Sequence, residues 1–328
     1  MKDETSIQVS VIVPTYNSGA ALKKCLEGLE KQNFPTNQFE VIVVDDGSTD
    51  ETASLLKQYS ARYFYQDNAG PAAARNKGVE LAKADVVLFT DSDCVPDENW
   101  IKEMAGSLAD PEIVGVKGAY ETKQNALWAR FAQIEFMERY KLLLKRKYID
   151  MVDTYSAGYK KNLFLSAGGF DTAFPMPNGE DADLSYRMSQ KGWKMVFNPK
   201  AYVWHLSHPD TLAKYMKLKF WRAYWRMEVY KKSPGKAVTD SYTPQTLKLQ
   251  ILFALLFLFS FISWLCFPSI TPFFCFLAML AFLTVSLPFT AMALSQDIVI
   301  GLLSPFFLFL RALSLGFGAL YKFLSSWM

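Results

Sequence analysis

Two aspartates one residue apart, Asp91 and Asp93, directly follow the apolar run ADVVLFT (84–90) of this chain. In an extended segment, side chains at positions i and i+2 point to the same side, so both carboxylates can face one ligand while Ser92 points away. Carboxylate oxygens suit Mg²⁺ or Mn²⁺, which commonly bridge protein acids and substrate phosphates. Because Asp-x-Asp is also a common pattern of solvated loops, the surrounding elements must decide between these two interpretations.

Strand and helix patterns alternate along the first part of the chain. Apolar, β-branched runs predict strands within 8–17, 39–52, 61–66 and 85–93, and helical patterns follow at 20–32 and 71–84. This alternation favours a parallel sheet covered by helices on both faces. The polar motifs PTYN (14–17), DDGS (45–48) and DSD (91–93) all end predicted strands, and open α/β sheets bind ligands at that edge. Their convergence favours a metal–diphosphate site over a solvated loop.

The C-terminal part of the chain has a different composition. Residues 249–296 contain no Asp, Glu, Lys, Arg or His. Three stretches, 249–267, 270–294 and 298–324, approach or exceed the ~20 apolar residues needed to cross a bilayer. The third carries Pro305 and Arg311, so it is predicted either to span with Arg311 facing other helices or to be re-entrant. Two or three membrane helices are therefore expected.

The segment before the apolar tail is basic and aromatic. Between residues 210 and 236, eight Lys or Arg residues stand against two acids and alternate with Trp and Tyr. Basic residues beside a span mark the cytoplasmic side, and aromatic residues favour the headgroup level. The stretch 128–148 is also amphipathic and is predicted either to lie on the same membrane surface or to pack on the domain.

Charge, cysteine content and the N-terminal sequence limit the partners and the cellular compartment that fit this chain. A net charge of +3 gives no general sign of nucleic-acid binding. The four cysteines form no CxxC pair, which fits a reduced, cytosol-facing soluble part. The N-terminus MKDETSIQVS has no apolar region typical of a secretory signal. We therefore predict a multi-pass protein of the cell membrane whose soluble domain is cytoplasmic.

Six motifs together resemble the family 2 glycosyltransferases, inverting enzymes with a GT-A fold that use nucleotide sugars. The motifs are VSVIVPTYN (9–17), VIVVDDGSTDET (41–52), NAGPAAARNKG (68–78), DSD (91–93), SAGGFD (166–171) and GEDADLSYRMSQKGW (179–193). The resemblance implies an α/β, Rossmann-like nucleotide-diphospho-sugar transferase domain followed by an all-α membrane region. The expected division is 1–209 for the transferase domain, 210–247 for the membrane-interface segment and 248–328 for the transmembrane region.

The resemblance also implies roles for individual residues in donor binding. The expected nucleotide-sugar contacts are Pro14, Tyr16, Asp45, Asp46, Arg75 and Asp91. Asp93, together with Asp91, would hold Mg²⁺ or Mn²⁺. His205 resembles a further metal ligand of some GT-A enzymes, although a lone His near a strand end is also compatible with a structural role.

The GED motif (179–181) is the second chemical centre that the resemblance implies. Inverting transfer is a single displacement that needs a base opposite the leaving diphosphate to take the acceptor proton. By resemblance this base is Asp181, and Glu180 would orient the acceptor or shift the pKa of Asp181. The alternative is that both are first-turn acids favoured by the helix dipole.

The resemblance also limits the kind of acceptor that the enzyme is expected to use. Processive synthases of this superfamily carry a Gln-x-x-Arg-Trp element, whereas the corresponding region here reads KFWRAYWRM (219–227). We therefore expect transfer of one sugar from a UDP- or GDP-sugar to a lipid-linked glycan of an envelope or exported polysaccharide. The alternatives are a polyprenyl-phosphate sugar transferase and a non-catalytic membrane scaffold that binds nucleotide sugars.

Overall fold

The computed structural model describes residues 6–176, 178–266 and 268–325. The chain divides into two compact units. The sheet unit comprises Met1–Lys123 and Leu143–Ser207, and the helical unit comprises Gln124–Leu142 and His208–Met328. The amphipathic stretch near residue 130 thus groups with the C-terminal helices.

The sheet unit contains eight strands among its described residues. They are β1 (Val9–Thr15), β2 (Phe39–Asp46), β3 (Arg62–Gln66), β4 (Val86–Phe89), β5 (Cys94–Pro96), β6 (Ile113–Glu121), β7 (Ala157–Lys160) and β8 (Lys194–His205). Their order in the sheet is β3-β2-β1-β4-β7-β6-β8-β5. The first four strands are parallel, as the alternating pattern predicts. The sheet as a whole is mixed, because β7 runs antiparallel to both β4 and β6, and β5 runs antiparallel to β8.

Helices cover this sheet and occupy the helical unit. In the sheet unit they are α1 (Gly19–Glu30), α2 (Thr52–Leu56), α3 (Pro71–Leu81), α4 (Trp100–Leu108), α6 (Lys161–Ser166) and α7 (Glu180–Gln190). In the helical unit they are α5 (Leu127–Leu143), α8 (Leu212–Lys232), α9 (Pro234–Val238), α10 (Gln245–Trp264), α11 (Thr271–Gln296) and α12 (Ile298–Ser325).

The core of the sheet unit lies between the central strands and helices α1, α3 and α4. Every residue of β1 is buried, as expected for an apolar strand with neighbours on both faces. Helix α3 can pack closely on β1 because Gly78 has no side chain, and a Cβ there would overlap the side chain of Ile12. This close approach sets the position of Arg75, one turn earlier on the same helix.

The helical unit has its own apolar core. Phe131 and Ile134 of α5 pack with Phe289 of α11 and Phe307 of α12. Within the described part of the chain, three helices are long and apolar enough to cross a membrane by length and composition, namely α10, α11 and α12. The amphipathic stretch thus forms α5, which packs against the C-terminal helices of its own unit, and its place on a membrane surface stays a prediction.

Candidate active site

Asp93, the second aspartate after β4, lies beside His205 at the end of β8. The short strand β5 pairs antiparallel with β8 so that Cys94 lies opposite His205. The carboxylate of Asp93 is 3.7 Å from Nε2 of His205, and the ligand atoms of Asp93, Cys94 and His205 all lie within 4.8 Å of one another. Strand pairing thus brings together a carboxylate and an imidazole that are more than a hundred residues apart.

The donor atoms of this cluster fit a hard divalent cation in part. Carboxylate oxygen and imidazole nitrogen are suitable ligands for Mn²⁺ or Mg²⁺. Cys94 is a poor ligand, because burial, with the charges of Asp93 and Asp91, raises the pKa of its thiol well above the ordinary value. Nδ1 of His205 accepts a hydrogen bond from the amide of Ser207 at 3.2 Å, so the neutral ring carries its proton on Nε2. Coordination through Nε2 would need that proton displaced.

The loop that carries the aspartates is fastened to the loop after β1. The hydroxyl of Ser92 hydrogen-bonds Ser18 at 2.8 Å, and Ser18 hydrogen-bonds Thr15 at 2.8 Å. This chain of hydroxyl groups uses Ser92, the residue expected to point away from the ligand. The side chains of Asp91 and Asp93 remain 30% and 28% exposed. Both carboxylates are therefore accessible to a ligand.

The predicted nucleoside pocket is built from the ends of β1 and β2. Pro14 is buried in β1, whereas Tyr16 is 53% exposed beyond it. Asp45 accepts hydrogen bonds from the Ser48 amide and the Tyr63 hydroxyl, both at 2.9 Å. Burial, followed by the bond to Asp45, raises the pKa of Tyr63 to about 12.

Asp46 holds the loop that precedes α3. Its carboxylate accepts from the Gln66 side chain at 2.7 Å and from the amides of Ala69 and Gly70 at 2.9 Å each. A carboxylate offers about four acceptor positions, so these three bonds leave little capacity for a nucleotide base. The predicted nucleotide roles of Asp45 and Asp46 thus compete with loop-stabilising roles.

Arg75 lies between the two predicted chemical centres. Its side chain is buried, with Nη2 2.8 Å from Asp91 and Nη1 3.0 Å from Glu180. Burial disfavours the charged form, but the charges of Asp91 and Glu180 outweigh it and raise the pKa of Arg75. The direct partners of this guanidinium are thus two predicted site acids, while its predicted contact with nucleotide stays a prediction.

The GED motif forms the start of α7. Gly179 has φ 119°, a left-handed conformation that favours glycine, and the helix begins at Glu180. Burial, followed by the charge of Asp181, raises the pKa of Glu180 to about 8. Oε2 of Glu180 and Nε of Arg75 have no hydrogen-bond partner among the described residues. Asp181 is half-buried and accepts from the Ala182 amide at 2.7 Å, so it lies at the more accessible edge of the motif.

Two further side chains hold the loop before α7, and the sequence analysis missed both. Asn76 donates to the Phe170 carbonyl at 2.8 Å and accepts from its amide at 2.9 Å. Arg187 pairs with Asp183 at 2.8 Å and donates to the carbonyls of Ala167 and Gly169. The i, i+4 spacing of Asp183 and Arg187 predicts their pairing, but nothing local predicts their carbonyl partners.

The architecture of strands and helices corresponds to the GT-A fold of glycosyltransferases. The structure resembles that of the mannosyltransferase PcManGT from Pyrobaculum calidifontis, solved with GDP-Man and Mn²⁺, with a TM-score of 0.62. The likeness covers 97% of this chain and 87% of that one at 20% sequence identity, which supports the fold alone. Residues 10–164, just under half of the chain, match the family model Glycosyl transferase family 2.

Curated relatives agree with this assignment. The glycosyltransferase AglE of Haloferax volcanii is 28% identical over 212 residues, which cover 61% of this chain and 67% of the relative. Validoxylamine A glucosyltransferase of Streptomyces hygroscopicus subsp. jinggangensis is 26% identical over 237 residues, covering 62% of this chain and 56% of the relative. The match thus spans between half and two thirds of these relatives, and the matched family segment ends before GED.

Proposed function

We propose that this protein is a membrane-bound, inverting glycosyltransferase that moves one sugar from a UDP- or GDP-sugar to a lipid-linked glycan. The observation that carries the proposal is the buried Arg75, which joins Asp91 of the donor loop to Glu180, the neighbour of the proposed base. This arginine thereby links the loop proposed to bind the donor to the motif proposed to activate the acceptor. A scaffold that only bound nucleotide would not need the second centre.

The donor end of the proposed site uses a divalent cation, Mn²⁺ or Mg²⁺. Asp93 would hold it together with Asp91, whose carboxylate also pairs with Arg75. His205, beside Asp93, would be a further ligand through Nε2 in the tautomer that carries its proton on Nδ1 and gives up the bond from the Ser207 amide. Such a cation would stabilise negative charge on the departing diphosphate. The solved relative PcManGT contains Mn²⁺ and GDP-Man, which supports this donor chemistry.

The acceptor end of the proposed site uses Asp181 as general base. It would take the proton of the acceptor hydroxyl as that oxygen attacks the anomeric carbon from the face opposite the diphosphate. Glu180 keeps Arg75 in place behind it. Because both groups start α7, the hydrogen bonds of Arg187 and Asn76 to the preceding loop also help to position the base.

The composition of the C-terminal helices supports the proposed membrane attachment. The apolar helices α10 to α12 meet the length needed for spans. The basic and aromatic residues of α8 fit the cytoplasmic headgroup level, and nucleotide sugars would then reach the sheet unit from the cytosol. The proposed location is the cell membrane, with a multi-pass anchor and the catalytic domain in the cytoplasm.

The experiment that tests this proposal compares Asp181→Asn with the native protein in membranes supplied with UDP- and GDP-sugars, Mn²⁺ and a native lipid extract. Glycolipid products are identified by mass, and Asp110→Asn, an exposed acid, serves as the matched control. If the acceptor is a hydroxyl, Asp181→Asn should lose at least ~10²-fold in kcat/KM while Asp110→Asn keeps it.

Other outcomes of the same experiment point to the alternatives. A modest loss for Asp181→Asn would favour a polyprenyl-phosphate acceptor, because a phosphate needs little help from a base. Absence of sugar transfer from all donors, combined with donor binding that does not depend on Mn²⁺, would favour the scaffold.

A further inference from the structure

The apolar tail carries three charged residues beyond the start of α11. Each of them forms an ion pair with a residue of α5 or α8, two helices that precede the tail. Asp297, between α11 and α12, makes a two-pronged ion pair with Arg130 of α5, at 2.7 Å for each bond. Arg311 of α12 lies 2.9 Å from Glu135 of α5. Lys322, near the end of α12, lies 3.0 Å from Glu228 of α8.

The surroundings of Arg311 are polar on several sides. Its partner Glu135 is fully buried and also pairs with Lys219 of α8 at 2.8 Å. Nη2 of Arg311 donates to Gln250, near the start of α10, at 2.6 Å. Arg311 is therefore at the level where α10 begins and where α5 and α8 carry their charges. This level is unlike the middle of a span, where charged groups are costly and rare.

The second half of α12 runs beside α8 and parallel to it, so that residue numbers increase in the same direction along both helices. The hydroxyl of Ser314 donates to the Met216 carbonyl at 2.6 Å. One turn later Gly318 lies so close to the Phe220 backbone that a Cβ would overlap it. The Lys322–Glu228 pair continues this contact to the end of the helix.

Helix α8 itself cannot lie in hydrocarbon. It carries seven Lys or Arg residues, which are Lys214, Lys217, Lys219, Arg222, Arg226, Lys231 and Lys232. Such a helix suits the headgroup region, where cations meet anionic lipid and interleaved Trp and Tyr rings meet the acyl boundary. The half of α12 that follows α8 therefore runs along the headgroup plane rather than across it.

The first half of α12 is too short to cross alone. Residues 298–310 would rise roughly 20 Å as a helix, less than the ~30 Å hydrocarbon core. The most apolar stretch of α12 is also 44% buried within the protein, against 11% for α10. Much of this helix therefore faces protein rather than lipid.

We propose that α12 lies with α8 along an anionic lipid surface and that only α10 and α11 cross the bilayer. The sheet unit and the C-terminus are then on the same side, and the α10–α11 turn is on the other. This inference rests on the membrane insertion proposed above and is independent of the reaction.

The test is thiol labelling of sealed membrane vesicles, in right-side-out and inside-out orientation, with a maleimide that cannot cross the bilayer. Cys266 is exposed at the α10–α11 turn and is the native reporter, since Cys25, Cys94 and Cys275 are buried. Two further reporters are made in a Cys266→Ser background. One is Ala109→Cys, at an exposed position of the sheet unit, and the other is a cysteine-bearing tag added after the C-terminus.

The expected result is that the C-terminal tag and Ala109→Cys react from one face and Cys266 reacts only from the opposite face. Reaction of the C-terminal tag from the face of Cys266, opposite Ala109→Cys, would overturn the inference and show three spans, leaving membrane insertion intact. Reaction of all three reporters from one face would show that the hairpin does not cross, which overturns both this inference and the proposed anchor.

Discussion

Two buried glutamates, Glu180 in the sheet unit and Glu135 in the helical unit, show how the same side chain serves different purposes. Glu135 accepts hydrogen bonds from Lys219, Arg311 and Tyr215, and both of its oxygens are used. Glu180 pairs with Arg75 through one oxygen, while the other has no partner among the described residues. A saturated buried acid stabilises its surroundings, whereas one with an unused oxygen retains capacity for a ligand.

The pKa shifts of the two glutamates have opposite signs. Burial favours the neutral form of both, but Lys219 and Arg311 outweigh burial and hold the pKa of Glu135 well below its ordinary value. Burial and Asp181 outweigh Arg75 at Glu180, whose pKa rises to about 8. Glu135 is therefore an ion-pair partner at neutral pH, and Glu180 is an acid that exchanges its proton near neutrality.

The largest expected effect comes from breaking the saturated cluster. Glu135→Leu would leave Arg311 as a buried cation without its acid, and Lys219, whose pKa burial holds well below its ordinary value, as a buried amine without its partner. We expect the free energy of unfolding of the helical unit to fall by about 3–5 kcal/mol. Chemical denaturation in mild detergent measures this change. Replacing Glu135, Lys219 and Arg311 together by Leu should restore most of the loss, because an apolar cluster leaves no unpaired charge. Equal stability of the single variant and the native protein would contradict the role assigned to Glu135.

A smaller change in stability, with a defined pH dependence, is expected at Glu180. The folded protein binds the Glu180 proton more tightly than the unfolded chain, since its pKa rises from 4.5 to about 8 on folding. The stability that this proton supplies is complete below about pH 4.5 and is lost as pH rises through 8. Glu180→Gln should remove this part of the pH dependence of Tm while reducing transferase activity. A Tm profile that is the same in both proteins would show that Glu180 titrates normally.

The third prediction concerns the loop before α7. Asn76→Ala removes both hydrogen bonds to the Phe170 backbone, and we expect it to lower the free energy of unfolding by about 1–3 kcal/mol. It should also lower kcat more than donor affinity, because the loop positions the base rather than the donor. Asn125→Ala, at an exposed asparagine, is the control. A loss of donor affinity with unchanged kcat would place Asn76 with the donor site instead.

The sequence predicts the first half of the sheet unit well, for a physical reason. Strands β1 to β4 and helices α1 and α3 have local apolar periodicity, and their observed bounds lie within a few residues of the predicted ones. The antiparallel β7 and the three-residue β5 carry no such signal. The pairing of β5 with β8, which places Asp93 beside His205, depends on register between distant segments.

The contacts of the predicted site residues could not be derived from local patterns. Arg75 was expected to touch nucleotide, but its observed partners, Asp91 and Glu180, come from two other elements. Likewise, the sequence leaves open whether Arg311 faces other helices, and the structure pairs it with Glu135 of α5. Side-chain pairing across long sequence distances is determined by packing, which single-sequence periodicity does not contain.

The most direct test of the central claim is calorimetric titration of UDP- and GDP-sugars into the detergent-solubilised protein, with Mn²⁺ or with a chelator. We expect one class of donor to bind with Mn²⁺, the chelator to abolish this binding, and Asp93→Asn to abolish it while Asp110→Asn retains it. Donor binding of unchanged affinity in the chelator, or in Asp93→Asn, would contradict the assignment of a metal–diphosphate site to the loop after β4.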